Sequence, residues 1–323
     1  MSAVEPPPVQ IRPPTTVPHL PLARQRIRDL VALVRPGQWV KNLLVVPLPL
    51  LDAFALDLWS LGRIGWAVLV FTLASAIVYV CNDIADRARD RRHPVKRSRP
   101  VAAGRVPVGT AWAYAAGLAV VLALLLALQP PVTWWPVLCY LVLNAAYTRK
   151  LKHLPLLDVC VVATGFALRL MGGYTAIDTP ASGWLIVAVY ALCLLLIIGK
   201  RRNELQVSGV EHRPALRGYS LALADQLLVL NATVAVTAGL IYLRTEAPVG
   251  GYGKAALLLS APFALFGLSR YLQLVLVRHA GGDPVRAVLG DRVVLGVAAV
   301  WLVALSAVVV LAHQPALAER LLP

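Results

Sequence analysis

The stretch Cys81–Asp90 reads CNDIADRARD, and it follows directly on a long apolar run that ends in AIVYV. Asn82, Asp86 and Asp90 are four residues apart, and residues with this spacing share one face of an α-helix. Asp83 lies three residues before Asp86 and belongs to the same face. The stretch therefore predicts a helix that leaves an apolar environment with four oxygen-bearing side chains on one side.

This acidic face predicts a metal site. Clustered carboxylates repel one another unless a cation joins them, and an all-oxygen ligand set suits a hard ion such as Mg²⁺, with Mn²⁺ as an acceptable substitute. The predicted ligands are Asn82, Asp83, Asp86 and Asp90. We expect the metal to orient and neutralise a diphosphate leaving group at the water edge of a bilayer. A polar helix end that points into water is the alternative interpretation.

The composition is that of a multi-spanning membrane protein. The 323 residues are 59% hydrophobic and have a mean hydropathy of +0.70, whereas soluble domains are nearer half apolar. We predict an all-α fold, because lipid-exposed backbone must satisfy its own hydrogen bonds and nothing in the sequence alternates like a barrel strand. About nine spans are predicted, near 39–57, 64–84, 109–128, 132–148, 156–177, 183–199, 221–243, 255–277 and 290–313.

The domain organisation that we predict is simple. A single transmembrane catalytic domain at 25–315 lies between a disordered, proline-rich tail at 1–24 and a short C-terminal tail at 316–323. The four cysteines form no CxxC pair, so we interpret them as buried thiols and infer neither a disulfide framework nor a thiolate metal site.

The distribution of charge orients the bundle. The formal net charge is +15, and most lysines and arginines fall in the N-terminal region and in the loops after even-numbered spans. By the positive-inside rule these segments lie in the cytoplasm of a plasma-membrane protein, together with the acidic stretch, and the C-terminus lies outside. The positive charge is therefore attributed to membrane topology and anionic lipid, and no nucleic-acid partner is expected.

Cations near the acidic stretch are candidates for binding phosphate, arginine as a bidentate fork and lysine as a point charge. Lys96 and Arg99 stand just before Pro100, where the chain can fold back over the site. Tyr147 and Lys150 share a helix face near the end of the fourth span. The predicted phosphate-binding set is Lys41, Arg87, Lys96, Arg99, Tyr147, Lys150 and Lys152. Topological anchoring or an interfacial position is the alternative for each.

Ionisable residues at or within predicted spans form a second set, since such residues mark functional sites by default. Asp158 begins the fifth span and would orient a sugar hydroxyl or a neighbouring cation. Arg169 lies inside that span and is predicted to pair with a carboxylate or a substrate phosphate. Lys200 and Arg201, at the end of the sixth span, would hold an anionic group. A structural ion pair or an ordinary basic loop is the alternative.

Several of these motifs resemble the UbiA superfamily of intramembrane prenyltransferases. The motifs are RPGQWVKN at 35–42, NDxxDxxxD at 82–90, RPVAAG at 99–104 and YxxK at 147–150. The resemblance implies an all-helical bundle whose central cavity opens toward lipid and is capped by cytoplasmic loops. Most members carry a second acidic motif after the sixth span, whereas this chain has KRRNE at 200–204.

This departure resembles the branch of the superfamily that moves a phosphoribosyl group in actinobacterial cell-wall synthesis. The branch implies 5-phosphoribosyl 1-diphosphate as the donor, a polyprenyl (decaprenyl) phosphate in the lipid bilayer as the acceptor, and a homo-oligomer, expected to be a trimer. One metal site and a separate cationic wall suit these three anionic groups. The residues then expected to be catalytic are Asp83, Asp86, Asp90, Lys41, Tyr147 and Lys150.

Two alternatives stay open at this point. The first is a prenyltransferase that joins a prenyl diphosphate to an aromatic or polar acceptor and ignores phosphoribosyl diphosphate. The second is a transporter or scramblase for an anionic lipid, which would explain the basic loops but gives no reason for the helix-spaced acids. Product analysis separates all three hypotheses.

Overall fold

The structure is a computed structural model that describes residues 22–45, 58–129, 133–208, 214–278, 282 and 284–314. Every regular element in these ranges is helical, which confirms the predicted all-α class. The longer helices are α1 (Leu22–Val34), α2 (Leu58–Ala85), α3 (Arg87–Arg92), α4 (Val108–Ala127), α5 (Trp135–Arg149), α6 (Leu157–Ala176), α7 (Gly183–Ser208), α8 (Leu221–Thr245), α9 (Gly253–Leu276), α10 (Pro284–Gly290) and α11 (Arg292–His313). Turns of 3₁₀ helix occupy Pro36–Val45, Lys96–Ser98, Leu151–His153, Pro214–Gly218 and Gly250–Tyr252.

Seven of the helices in the described ranges are long and apolar enough to cross a membrane, namely α2, α4, α6, α7, α8, α9 and α11. A bilayer core requires about 20 residues of helix, so the seven match the second, third and fifth to ninth predicted spans. The fourth predicted span corresponds to α5, which has 15 residues.

The predictions for the two ends of the chain and for the first span fall largely outside the described residues. Within the predicted span 39–57, residues up to Val45 form 3₁₀ helix, and 46–57 lie outside the described ranges. The predicted tails at 1–24 and 316–323 also lie outside them, except that α1 already begins at Leu22.

The first group of helices packs α2 against α4, α5 and α6. Its core is filled by large side chains, among them Phe71 and Tyr140, whose rings meet edge to face with centroids 5.8 Å apart. α2 and α6 approach closely at Gly172, where a Cβ would lie 2.2 Å from Phe71. Because Gly172 has no side chain, α6 can lie against α2, the helix that ends in the acidic stretch.

The second group consists of α7, α8, α9 and α11, and α6 joins the two groups because it packs against both α5 and α7. Buried Leu195, Leu228, Tyr271 and Val275 form its core at one end. The chain thus brings the ends of α2, α5, α6 and α7 to neighbouring positions, and the candidate functional residues lie there.

The segment after α3 folds back onto the bundle, as the position of Pro100 predicts. Val101 and Val106 are buried and pack with Val80 of α2 and Leu33 of α1. The return is possible because Gly104 adopts a φ of +77°, which favours glycine. These apolar contacts hold the preceding basic residues over the end of α2.

Candidate active site

Asp83 is a buried carboxylate of the acidic stretch that binds two arginines. Its side chain is 2% exposed and forms ion pairs with Arg35 and with Arg99, the latter at 3.1 Å from Oδ1 to Nη1. The same Nη1 atom of Arg99 lies 2.6 Å from Oδ2 of Asp90, which is also buried. Arg99 therefore bridges two carboxylates that the folded chain brings to one point.

Arg35 is a site residue that the sequence did not single out beyond its place in the RPGQWVKN motif. It follows α1 with a φ of +50°, an uncommon conformation for a residue with a side chain. Its guanidinium lies 5.0 Å from the ring centre of Tyr79 and binds Asp83. Strained backbone is concentrated at functional sites. The feature of the sequence that could have indicated Arg35 is its position directly before Pro36, where helices tend to end.

Asp86 faces a different partner from Asp83 and Asp90. Its carboxylate lies 2.7 Å from Nζ of Lys152 and 3.7 Å from Arg89. Asp86 is the single residue between α2 and α3. Its amide donates to the Asn82 carbonyl and the Asp90 amide donates to the Asp86 carbonyl, both at 2.8 Å, so helical hydrogen bonding continues through this point.

Asn82 and Lys152 tie the end of α2 to the end of α5. Oδ1 of Asn82 accepts a hydrogen bond from the hydroxyl of Thr148, and Lys152 follows α5 in the turn Leu151–His153. Two segments that are some 66 positions apart in the chain thereby meet at the acidic stretch. Lys152, one of the residues predicted to bind phosphate, therefore lies beside the acidic stretch.

The fit of Mg²⁺ to these residues rests on the Asp83–Asp90 pair. Their oxygens converge on one cationic nitrogen, and carboxylate oxygens are the ligands that Mg²⁺ prefers. In the part of the chain that the structure describes, no group of three or more histidine, cysteine, aspartate or glutamate side chains is arranged to hold a metal. Mg²⁺ needs only one or two carboxylates when substrate phosphates and water complete its shell, so the pair fits such an ion.

Asp158 forms a second, separate cluster with residues of α7 and of the turn before α8. Its side chain is fully buried, and its two oxygens bind Nε of Arg201 at 2.9 Å and the hydroxyl of Tyr219 at 2.9 Å. Arg201 also binds Glu204 at 2.7 Å. Burial, reinforced by the Asp158 carboxylate, raises the pKa of Tyr219 above its usual value, so its hydroxyl stays protonated and donates.

These contacts bear on the prediction that Arg201 and Lys200 hold a substrate anion. Arg201 is already bound by two carboxylates, and an anion would have to compete with both. The neighbouring Arg202 binds Asp225. Lys200 is exposed and is the cation of this run that remains directed to water.

Arg169 lies in the interior of the bundle, and its side chain contacts neutral oxygens. Its nitrogens donate to Asn42 at 2.8 Å, to the Gly165 carbonyl at 2.8 Å, to Ser75 at 3.1 Å and to the Tyr140 hydroxyl at 2.9 Å. The guanidinium also stacks 4.5 Å from the centre of the Tyr140 ring. The predicted interior position is observed, and the protein partners are neutral hydrogen-bond acceptors. Of the two predicted partners, a carboxylate is not among these contacts, and a substrate phosphate stays a prediction.

The other predicted residues line the same end of the bundle with differing exposure. Arg87 and Tyr147 are half-buried, and Tyr147 lies close enough to Arg201 to interact with it electrostatically. The remaining predicted cations are exposed: Lys41, Lys96 and Lys150.

Replacing Arg169 by lysine should destabilise the protein, because an ammonium group cannot reproduce four contacts made by a planar fork. We expect a loss of about 3 kcal/mol in the free energy of unfolding, measured by thermal unfolding in detergent. The matched control is Arg244→Lys at an exposed position, for which less than about 0.5 kcal/mol is expected. An unchanged stability with a raised KM would instead assign Arg169 to substrate binding.

The fold and this site define a class of protein. Residues 52–289 match the model of the UbiA prenyltransferase family, and the chain belongs to this family. It is accordingly a multi-pass membrane protein and a transferase of the UbiA type.

Three curated relatives of this chain share one name, decaprenyl-phosphate phosphoribosyltransferase. The chain is 35% identical over 224 residues to the decaprenyl-phosphate phosphoribosyltransferase of Mycolicibacterium smegmatis, covering 65% of this chain and 68% of that protein. It is 31% identical over 291 residues to the enzyme of the same name from Mycobacterium tuberculosis, covering 88% of this chain and 95% of that protein. The corresponding protein of Corynebacterium glutamicum is 30% identical, with 84% of each chain covered.

Solved structures confirm the fold. A UbiA homologue from Archaeoglobus fulgidus bound to GPP and Mg²⁺ has a TM-score of 0.62 at 17% identity, covering 87% of this chain and 99% of that chain. A digeranylgeranylglyceryl phosphate synthase has a TM-score of 0.64 at 15% identity, covering 88% of this chain and 99% of that chain. At these identities the likeness extends to the architecture of the bundle.

Proposed function

We propose that the protein transfers the 5-phosphoribosyl group of 5-phosphoribosyl 1-diphosphate to a polyprenyl phosphate, decaprenyl phosphate in the simplest reading, and releases diphosphate. The product would be a lipid-linked precursor for cell-wall arabinan. The relatives named decaprenyl-phosphate phosphoribosyltransferase, which match up to 88% of this chain, support this proposal.

The observation that carries the proposal is the unequal character of the two helix ends. The end of α2 and the adjoining α3 carry the buried carboxylates of Asp83 and Asp90, whereas the C-terminal part of α7 has three consecutive cations at 200–202. Arg201 and Arg202 bind carboxylates there, and Lys200 is the exposed cation. A prenyl diphosphate held between two acidic, metal-binding sites would need carboxylates at both. One acidic site and a cation-bearing segment of α7 suit a donor that has phosphate at both of its ends and an acceptor that carries a third.

In the proposed reaction an oxygen of the lipid phosphate attacks C1 of the ribose. The bond between C1 and the diphosphate oxygen breaks, and the electron pair leaves with the diphosphate, with inversion from the α donor to a β product. A phosphate oxygen is already nucleophilic, so no strong general base is required. Catalysis then rests on positioning the reactants and neutralising the leaving group.

Different residues would bind the metal and the phosphate groups. Asp83 and Asp90 would hold Mg²⁺, which supplies positive charge to the departing diphosphate. Arg35 and Arg99, already at the same carboxylates, and Lys152 would bind phosphate oxygens. By the positive-inside rule we expect this end of the bundle to face the cytoplasm, where a water-soluble phosphoribosyl donor is available.

The proposal predicts a metal-dependent transfer of label. Purified protein in detergent, given Mg²⁺, labelled 5-phosphoribosyl 1-diphosphate and polyprenyl phosphate, should move the label into an organic-extractable lipid. Excess chelator should abolish the transfer, and added Mg²⁺ or Mn²⁺ should restore it.

The matched assay offers a prenyl diphosphate and an aromatic acceptor in place of the phosphoribosyl donor. Consumption of the prenyl diphosphate, with no label transferred in the first assay, would contradict the phosphoribosyl proposal and assign the protein to ordinary prenyl transfer. Movement of polyprenyl phosphate between leaflets without a covalent product would indicate a transporter.

A further inference from the structure

An apolar cavity of about 940 Å³ lies among α7, α8, α9 and α11. Its wall consists almost wholly of aliphatic side chains, and the polar groups in it are few. Two of these, Ser260 and Trp301, bind each other at 2.9 Å. All of the residues that line this cavity follow α6 in the chain. Its wall therefore contains no residue of the acidic stretch on α2 or of the Arg169 cluster.

The cavity is long in the direction of the helices. On α11 its lining runs from Val294 to Val310, which at the rise of an α-helix is about 24 Å. The hydrocarbon core of a bilayer is about 30 Å thick. The cavity therefore extends over most of the depth of the hydrocarbon core, as an extended lipid chain does.

The second helix group has open space at two glycines, although Tyr242, Tyr271 and Trp301 also line the cavity. Phe71 and Tyr140 close the core of α2, α4, α5 and α6, whereas Gly239 and Gly267 face this cavity from α8 and α9. A Cβ at either glycine would have no atom of another residue within 4 Å. Unfilled space of this kind forfeits dispersion contacts for every atom that lines it.

α11 buries few of its side chains against the other helices. Among its described residues Val309 alone is buried, at 9% exposure. At its first turn it is tied to α9 by Asp291, which caps α11 through the amides of Val293 and Val294 and binds Arg270 at 2.8 Å. The middle of the helix is held to α9 by the hydrogen bond from Trp301 to Ser260, and its other side chains are half-buried or exposed.

The end of the cavity that carries Asp291 is electropositive. Arg278, Arg286 and Arg292 are all exposed there, near the lining residues Val288 and Val294. The segment 270–292 contains four arginines and two aspartates, Asp283 and Asp291, and Arg270 already binds Asp291. A surplus of arginine beside an apolar channel attracts the phosphate of an anionic lipid.

We propose that this cavity binds a chain of an anionic phospholipid of the bilayer, with its phosphate at the arginine-bearing end, and that the bound lipid fastens α11 to the bundle. The polyprenyl acceptor is a poorer match, because its phosphate must reach the acidic stretch at the end of α2, whereas the arginines of this site lie just after α9 and on α10 and α11. The inference does not depend on the proposed reaction.

The test fills the cavity and measures the response to lipid. Gly267→Leu places a side chain in the open space, and Gly296→Leu is the matched control, since Gly296 lies on α11, is exposed and also has open space around a Cβ. The proteins are delipidated in detergent, and thermal unfolding is followed with added phosphatidylglycerol or phosphatidylcholine. Phosphatidylglycerol should raise Tm by about 4 °C in the unaltered protein and in Gly296→Leu, and leave Gly267→Leu unchanged.

Three results would overturn the proposal: an equal response of Gly267→Leu, an equal effect of phosphatidylcholine, or stabilisation by polyprenyl phosphate in place of phosphatidylglycerol. If Gly267→Leu does not fold, the unaltered protein is labelled with phosphatidylglycerol that carries a diazirine on its acyl chain. Label on Gly239, Ala264 or Trp301 is the expected result. Label confined to Val300 and Val303, which are exposed on the outside of α11, would contradict it.

Discussion

Asp83→Asn should lower turnover by about 10³-fold while the protein remains folded in detergent. The substitution keeps the size of the side chain and removes the charge that holds Arg35 and Arg99 at 3.1 Å or less. It also removes one of two carboxylate oxygens that converge on a single point, and with it the charge that the proposed metal requires. Label transfer from the phosphoribosyl donor measures the rate.

The matched control for Asp83→Asn is Asp29→Asn. Asp29 is a carboxylate of α1 that binds Arg105 at 2.9 Å, outside the acidic stretch. We expect its removal to change the rate less than about threefold, because it takes no part in binding phosphate or metal. Asp83→Asn with an unaltered rate would show that the carboxylate is structural and that the metal site lies elsewhere.

The acidic site could be found from the sequence because its signal is local. Asn82, Asp83, Asp86 and Asp90 lie within nine residues at the end of an apolar run, and helical spacing sufficed to relate them. Helical spacing gives no tertiary partner for these residues, and Asp86 contacts Lys152 from 66 positions away in the chain.

Partners that are distant in the chain were not predictable in the same way. Arg35 is 48 positions from Asp83, and neither periodicity nor charge relates the two. Arg169 was expected to need an opposite charge, because a buried cation is costly. The structure supplies four neutral acceptors: Asn42, Ser75 and Tyr140 from three other segments, and the Gly165 carbonyl from α6 itself. The packing of those three segments against α6 brings the first three acceptors there.

The fold was largely predictable because the membrane constrains it. Long apolar helices are required where backbone meets lipid, and seven of the predicted spans have counterparts of sufficient length. α5 is shorter than the predicted span 132–148 because its 15 residues begin only at Trp135, and Thr133 and Trp134 precede the helix.

The largest effect on stability is expected from Asp158→Asn. Asp158 is fully buried and binds both Arg201 and Tyr219. Removing its charge leaves the guanidinium of Arg201, itself 6% exposed, without its buried partner. Breaking one side of a buried ion pair costs about 3 to 5 kcal/mol. Thermal unfolding in detergent should therefore show a large fall in Tm.

Glu204→Gln is the matched control, because Glu204 binds the same arginine at 2.7 Å from a position that is 30% exposed. Solvent already screens that pair, and a change below about 1 kcal/mol is expected. The comparison separates the two roles that Asp158 can have. A large loss of stability for Asp158→Asn and a small one for Glu204→Gln would mean that Asp158 builds the wall of the site. Full stability with lost turnover would mean that its carboxylate meets the sugar, which is one of the two roles predicted from the sequence, because a group that only supports the fold cannot be neutralised without cost.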